Sequence, residues 1–500
     1  MINILKAVIL NNYKNMPAFK TLVQLIHSLS KTERRNFSLF VGSDDNKKAY
    51  LKLYSLIIKS KGDTEQQCRK EFPGQDLNTT VNYLYTVLMK SLIVLNQQAG
   101  IEEELTTGIQ EVKLLFRKGL IAEGFEKLDK LMKIAADFER FEYCIILGKM
   151  KLHYLNRFHF GDITEDELLK LQSHLKKHIQ FELNLTDHAS LYELLNYRFV
   201  THGMARSSKD KEKLNDLVFV EMNLAGNPKY QSFNLKKNHL LFQSVYFMMT
   251  GDYKSSMSTF LELNNLFETN RNLWLDSPIY YIQHVKGILN NLHITGQYEH
   301  MQFFIAKLEE LQKTAALSIL QQTVYIAKIK MLLGLKDYAA SLTVMKSGFE
   351  LVSRIQNIQS GDKAEIYLYT ALVSFYDRNF KEAARLLRQI IHLENLSNKQ
   401  TSRTLKLINL IVHFELNDFN YLTSGIRSLE RELKQGKRNF YTEKVILKLM
   451  KLYPSTLSRA SRKKLFEKAR EELTVLKADA YERQLFYVFD FEEWVLRRGD

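Results

Sequence analysis

Apolar residues recur at helical spacing from Phe19 onward. Positions 19, 22, 23, 25, 26 and 29 fall on one helical face. Ser30-Lys31-Thr32-Glu33 follows as a capping-box pattern, in which the serine accepts from the Glu33 amide while the glutamate returns to the cap. The helix it opens runs to Val41, where Gly42 supplies a left-handed stop. A third helix fits 47–59. A fourth opens at Asp63, with Gln66 three residues on, and ends near Phe72-Pro73-Gly74. A long fifth carries Val81, Leu84, Leu88, Leu92 and Leu95 on one stripe. Residues 18–98 therefore read as a small helical bundle. The two helices around Ser30 are also readable as helix-turn-helix. That turn has no glycine and neither helix is conspicuously basic, so a plain bundle fits better.

From residue 101 the pattern becomes a repeat of amphipathic helix, tight turn and second amphipathic helix. The turns read Gly119-Leu120-Ile121, Gly161-Asp162-Ile163, Gly203-Met204, Gly251-Asp252-Tyr253, Gly296-Gln297-Tyr298, Lys336-Asp337-Tyr338, Arg378-Asn379-Phe380 and Asn417-Asp418-Phe419. Their apolar anchors stand 42, 41, 49, 45, 40, 42 and 39 residues apart. A sustained period of that size is one helical hairpin per step. The aromatic anchor is expected to pack back under its own hairpin. A small residue three positions later (Gly124, Ser207, Ser256, Ser341 or Ala383) lets the two helices approach. Asp166, Met301 and Leu422 break that rule, and their hairpins are expected to pack more loosely or shift register. Ser277-Pro278 reads as a cap with a proline at the first helical position. Asp362 with Glu365, and Ser397 with Gln400, read as further capping boxes. A ninth pair fits 439–453 and 457–477 around Pro454. A last helix over 481–497, carrying Phe486, Phe489, Trp494 and Leu496, is expected to cap the end of the stack.

Gly-Asp-Tyr253, Gly-Gln-Tyr298, Asp-Tyr338 and Asn-Phe380-Lys-Glu-Ala383 make residues 101–478 resemble the tetratricopeptide-repeat (TPR) superfamily. The resemblance implies an all-α fold: an α-solenoid of about eight to nine TPR-like hairpins after the N-terminal bundle. The units here are longer than the family's usual 34 residues, and its closing proline is mostly missing. With Leu29-Ser30-Lys31-Thr32-Glu33-Arg34 ahead of the repeats and Asn82-Tyr83-Leu84-Tyr85 in the bundle, the whole chain is also similar to uncharacterised bacterial helical-repeat proteins, from which no activity follows. The expected organisation is a flexible extension over 1–17, the bundle over 18–98, TPR-like repeats over 101–478 and a C-terminal capping helix over 479–500.

Composition agrees with long helices. The 500 residues hold 20 Gly and 5 Pro, too few for the many tight turns of a large β or βαβ protein. Hydrophobic residues are 45% and charged residues 25%, which argues against long disorder. Residues 1–16 carry two lysines, Lys6 and Lys14, and a short apolar run, too weak for an export signal; they read either as an extension or as sequence ahead of a start at Met16. No stretch is apolar enough to span a membrane. Cys68 and Cys144 read as unpaired buried thiols in a reducing, cytoplasmic setting.

The formal net charge is +15. Its densest run, Arg427 to Arg470, holds fourteen Lys/Arg against Glu430, Glu432, Glu443 and Glu467. Lys451, Arg459, Arg462, Lys463 and Lys464 form the basic patch to watch, either as a nucleic-acid contact or as a solvated face. Chemistry is otherwise sparse. No phosphate loop, dinucleotide fingerprint, nucleophile elbow or zincin motif occurs. His174 and His178, one turn apart with Glu182 beyond, have a metal-like spacing, but surface histidines are the better account. Glu102-Glu103-Glu104 suits a helix start. No catalytic, cofactor or metal residue is assigned. In TPR-like solenoids the first helices of hairpins line a concave groove, so Tyr246, Tyr280, Tyr281, Tyr367 and Tyr369 are candidate groove aromatics. The functional expectation is a non-enzymatic scaffold that binds a protein or peptide. The alternative is a nucleic-acid-associated or regulatory protein using the basic patches and the Ser30 helix pair.

Overall fold

The computed structural model describes residues 19–42, 48–59, 64–72, 75–96, 100–161, 163–205, 207–225, 232–275, 277–314, 317–355, 358, 360–391, 399–435, 440–453, 458–479 and 481–499. Among them the regular structure is helical throughout, with no strand. The expectations for residues 1–17, for the Asp63 helix start, for Pro73-Gly74, for the Ser397 cap and for Pro454 lie outside the described residues. The chain divides into two units, Met1–Phe138 with Ile146–Asp162, and Glu139–Ile145 with Ile163–Asp500. The division falls inside one helix, well beyond the 98–101 boundary suggested by the change of sequence pattern.

The first unit holds α1 (Phe19–Ser28), α2 (Lys31–Val41), α3 (Ala49–Lys59), α4 (Thr64–Glu71), α5 (Gln75–Asn96), α6 (Ile101–Arg117), α7 (Ile121–Asp137) and most of α8 (Phe141–Arg157). The Ser30 capping box is formed: Ser30 Oγ accepts from the Glu33 amide at 3.2 Å, and Glu33 accepts from the Ser30 amide at 2.6 Å. Leu22, Ile26, Phe37, Leu53, Ile57, Leu84 and Leu88 are fully buried in one cluster that also encloses Cys68. The apolar stripe of α5 is thus its core face. α2 turns Leu39 and Phe40 outward, alongside Lys31 and Arg35. Between α6 and α7, Gly119 takes φ +79°.

The second unit opens with a departure from the repeat. α9 (Glu165–His202) is a single helix of 38 residues, begun by a Thr164–Glu167 capping box. Gly161 and Gly203, read as turns of two separate hairpins, are its two ends. No glycine or proline lies between them to break it. After Gly203 come the short α10 (Ser208–Glu212) and α11 (Asn215–Ala225), which account for the longest repeat interval. Regular hairpins then follow: α12 (Phe233–Thr250) with α13 (Tyr253–Thr269), α14 (Ile279–Ile294) with α15 (Tyr298–Thr314), α16 (Ser318–Gly334) with α17 (Tyr338–Ser353), α18 (Ser360–Tyr376) with α19 (Phe380–Arg388), α20 (Lys399–Glu415) with α21 (Phe419–Gln435), and α22 (Tyr441–Leu452) with α23 (Arg459–Ala478). The first helices α14, α16 and α18 also pack on one another.

The hairpin turns share one construction. Gly251, Gly296, Lys336, Arg378 and Asn417 all have positive φ, between 56° and 79°. The next polar residue often caps the second helix: Asp252 accepts from the Ser255 amide at 3.1 Å, Asp337 from Ala340 at 2.9 Å and Asn379 from Glu382 at 3.2 Å. Phe380 meets Phe375 and Tyr298 meets His293 within their own hairpins, at 5.3 and 5.7 Å between ring centroids, but anchors also reach the next hairpin. Tyr338 stacks on Tyr376 of the next first helix, with ring centroids 4.8 Å apart. Tyr298 lies against Gly334, where an added Cβ would meet its ring at 2.3 Å. Met301 and Leu422 are fully buried, like Ser256, Ser341 and Ala383, so their hairpins are not looser. In α20–α21 the close approach moves to Gly425, whose missing Cβ leaves room for Leu410. Pro278 is itself the N-cap of α14, without a side-chain cap bond. Asp362 lies inside α18, which starts at Ser360, so it does not cap that helix.

The C-terminal segment also differs from expectation. Residues 482–485 form a single 3-10 turn, and α24 (Phe491–Gly499) starts only after a break. The segment packs on α22 and α23 of the last hairpin and also straps across several hairpin turns. Gln484 donates to the Ala205 carbonyl at 3.0 Å. Tyr487 meets Tyr253 edge-on at 5.8 Å, and its carbonyl accepts from His293 Nε2 at 3.0 Å. Phe489 packs on Phe375 and Tyr376. Glu493 pairs with Lys336 at 3.2 Å, and Trp494 Nε1 donates to Glu415 at 2.7 Å. Phe489, Phe491, Trp494 and Val495 are buried in the same cluster as α16–α23. Stability in this unit is therefore not a sum of nearest-neighbour terms alone. Phe489→Ala should cost about 3–5 kcal/mol, read as a lowered denaturant midpoint. Hydrogen exchange should rise at the α18–α19 turn, more than a hundred residues away in sequence; a rise confined to α23 and α24 would contradict the strap.

Candidate functional site

The five candidate groove tyrosines do not share an open surface. Tyr281, Tyr367 and Tyr369 are buried. Tyr281 stacks on Trp274 at 4.2 Å and donates to Glu268 at 3.1 Å. Tyr367 meets Phe349 edge-on. Tyr369 lies under Lys330, whose Nζ stands 4.8 Å from the ring centroid. Burial raises the Tyr281 and Tyr369 hydroxyls above their ordinary range. Tyr246 is half-buried against Phe242 and Phe247. Only Tyr280 of the five is well exposed, at 44%, with Lys237 Nζ 4.4 Å from its ring centroid. Burial, with Arg140 nearby, pushes Lys237 down to about 8 against the opposing pull of Glu139.

Helices α14, α16 and α18 share a partly buried ion cluster, in which only Lys330 is buried outright. Lys286 on α14 reaches Asp362 on α18 at 2.8 Å, although α16 intervenes in sequence. Lys330 on α16 reaches Glu365 at 2.5 Å and Asn290 at 2.8 Å. Burial alone would raise the Glu365 carboxyl; Lys330 and Lys286 overcome it and hold the group down to about 2. Burial likewise opposes the charge on Lys286, and Glu365 with Asp362 raises it above the usual value. The residues read as a capping box, Asp362 and Glu365, are thus the acidic half of this cluster. Their i,i+3 spacing was visible; the lysines that face them from two other helices were not.

The basic patch is only partly free. Lys451 pairs with Glu430 at 3.4 Å, and the Arg462 guanidinium stands 4.9 Å from the Tyr453 ring centroid. Arg459, Lys463 and Lys464 are exposed on the opening turns of α23, with no carboxylate partner among the described residues. Cations at a helix N-terminus oppose the helix dipole, and the first turn of α23 has no acidic residue to relieve them.

Of the histidine pair, His174 is exposed and His178 is half-buried against Phe141. Burial, then His174 and Lys177, lowers His178; burial, then Glu142, raises Glu182. Among the described residues no three His, Cys, Asp or Glu side chains gather as a metal group. Glu102, Glu103 and Glu104 occupy the first turn of α6. Both cysteines are buried and unpaired, and burial pushes Cys144 up to about 12. Sequence reading missed the contact of His239 with buried Glu221, which ties α12 to α11. It also missed an apolar surface on two adjacent helices: Tyr197 and Val200 on α9, and Phe219 and Met222 on α11, are exposed, Phe219 at 70%. No helix among the described residues is long and apolar enough to cross a membrane. No protein-family model matches the chain, and no curated protein matches it significantly.

Two buried histidines generate a pH dependence. Burial pushes His284 and His293 down to about 3, aided by Lys307 and Lys330 respectively. An unfolded histidine takes its proton near pH ~6.5. Between these values the unfolded state binds more protons, so stability falls as pH is lowered from about 6.5. The Glu365 contribution is present above the unfolded carboxyl value of about 4.3 and is lost toward its folded value. The melting temperature should therefore drop between pH 6.5 and 5, above the range in which Glu365 protonates. His284→Phe, placed among Phe260, Phe267 and Tyr281, should flatten that slope; an unchanged slope would contradict the assignment.

Proposed function

We propose that the protein is a non-enzymatic, protein-binding scaffold built as a TPR-like α-solenoid. The repeated left-handed turns and the stacking of first helix on first helix support the solenoid reading. The exposed apolar side chains of α9 and α11 carry the binding reading. Large exposed apolar side chains on two helices that pack together suit an interaction site, and Tyr197, Phe219 and Met222 are well exposed there. The partner surface is accordingly placed on α9 and α11, not on the inner face, where Tyr281, Tyr367 and Tyr369 are core. The buried, unpaired thiols support a reducing, cytoplasmic setting.

A second reading rests on α23. Arg459, Lys463 and Lys464 are unrelieved cations in a position that suits phosphate binding. One experiment separates the two: affinity capture from the native cell with cross-linking, with and without nuclease. The scaffold reading expects a defined protein partner that survives nuclease and disappears with Phe219→Asp plus Met222→Asp. The nucleic-acid reading expects nuclease-sensitive, salt-dependent retention. Neutralising Arg459, Arg462, Lys463 and Lys464 to Gln would then lower the slope of log affinity against log salt by about 0.7–0.9 for each phosphate no longer neutralised, for every sequence alike. A capture profile unchanged by both sets of substitutions would remove both readings.

A further inference from the structure

The first unit holds a concave basic surface that neither reading uses. A cavity of about 690 Å³ lies between α6 and α8, lined by Lys113, Arg117, Ile146, Lys149, Met150, His153 and Tyr154. Lys113 and Arg117 stand four residues apart on α6, and Lys149 and His153 four apart on α8. Phe116, between the two basic residues of α6, stacks on Tyr154 at 3.7 Å and holds the walls together.

The charge distribution is one-sided. No carboxylate lines the cavity. The nearby carboxylates are engaged elsewhere: Glu111 with Lys127 at 2.7 Å, Glu126 with Lys130 at 2.6 Å and Asp129 with Lys151. Lys151, the other lysine of α8, is therefore paired, as are Lys127 and Lys130 of α7, while Lys113 and Lys149 have no ion-pair partner among the described residues. Like charges one helical turn apart repel. A bound anion would relieve that repulsion. Ile146 and Met150 add apolar lining, and Tyr154 adds an aromatic ring. Flexible cations beside apolar and aromatic side chains suit a ligand that joins phosphates to a flat ring. The volume lies within the range of small-molecule sites.

We propose that the α6–α8 cavity binds nucleotide phosphates, with Lys113, Arg117 and Lys149 holding the phosphate oxygens and the base lying toward Met150 and Tyr154. The same chemistry is offered by a free nucleotide and by a nucleotide unit of a single strand.

The test uses the full chain with two probes, ATP and a short single-stranded oligo-uridine, each titrated at low salt and across a salt series. Lys113→Gln with Lys149→Gln should weaken binding of whichever probe binds by about tenfold or more, since it removes charge-assisted hydrogen bonds. The ligand-free melting temperature should hold or rise, because repulsion is relieved. Each single substitution should give part of the effect. Tighter binding of ATP identifies a free nucleotide. Tighter binding of the strand, with a salt slope that falls in the variant by about 0.7 for each phosphate no longer neutralised, identifies single-stranded nucleic acid. Arg459→Gln with Lys463→Gln and Lys464→Gln should leave this affinity unchanged, which separates the cavity from the α23 surface. No saturable binding of either probe, or binding that the cavity substitutions do not weaken, would overturn the proposal.

Discussion

The five hairpins from α12 to α21 each turn on one residue held in left-handed backbone. Gly251 and Gly296 accept that conformation freely, while Lys336, Arg378 and Asn417 adopt it at φ 56–59°, where a side chain is strained. The strain is tolerated because the turn is fixed from both sides. At four of them the residue that follows caps the second helix, and Tyr298 and Tyr338 pack beyond their own hairpins. Tyr338 on Tyr376 and Tyr298 on Gly334 turn a local reversal into a joint between successive hairpins.

Two further devices close the second unit. One is electrostatic: Lys286, Lys330, Asp362 and Glu365 converge from three helices, and their mutual attraction offsets the cost of burying charge. Removing one partner would leave an uncompensated buried charge, so the cluster fixes which first helices meet. The other is the strap. Residues 482–499 satisfy turns from Ala205 to Thr442 with hydrogen bonds, ion pairs and rings. Of the three buried candidate groove tyrosines, Tyr369 lies against the ion cluster, under Lys330, whereas Tyr281 and Tyr367 are buried by Trp274 and Phe349.

The same closure moves attention to surfaces outside it. The apolar side chains of α9 and α11 interrupt the regular hairpin succession, and they belong to the segment where the repeat interval lengthens. The α23 cations and the α6–α8 cavity share another feature: positive side chains set where the fold gains nothing from them, by dipole or by like-charge spacing.

Local chemistry was legible in the sequence. The all-α class followed from scarce Gly and Pro and from helical spacing. The Ser30–Glu33 box, the turn at Gly119, the hairpin turns from Gly251 to Asn417 and the core stripe of α5 follow from residues within one or two turns of each other. What failed was long-range or depended on the absence of a signal. Gly161 and Gly203 looked like two hairpin turns because nothing in the period shows that one uninterrupted helix joins them. Asp362 and Glu365 fit a cap by spacing, but their partners are set by helices some 35 to 76 residues away. The tail of the chain was read only as an end cap because amphipathicity shows that a face is buried and not what buries it. Backbone dihedrals and caps are decided by neighbours in sequence; which faces meet, and whether a groove stays open, is decided only when the whole chain packs.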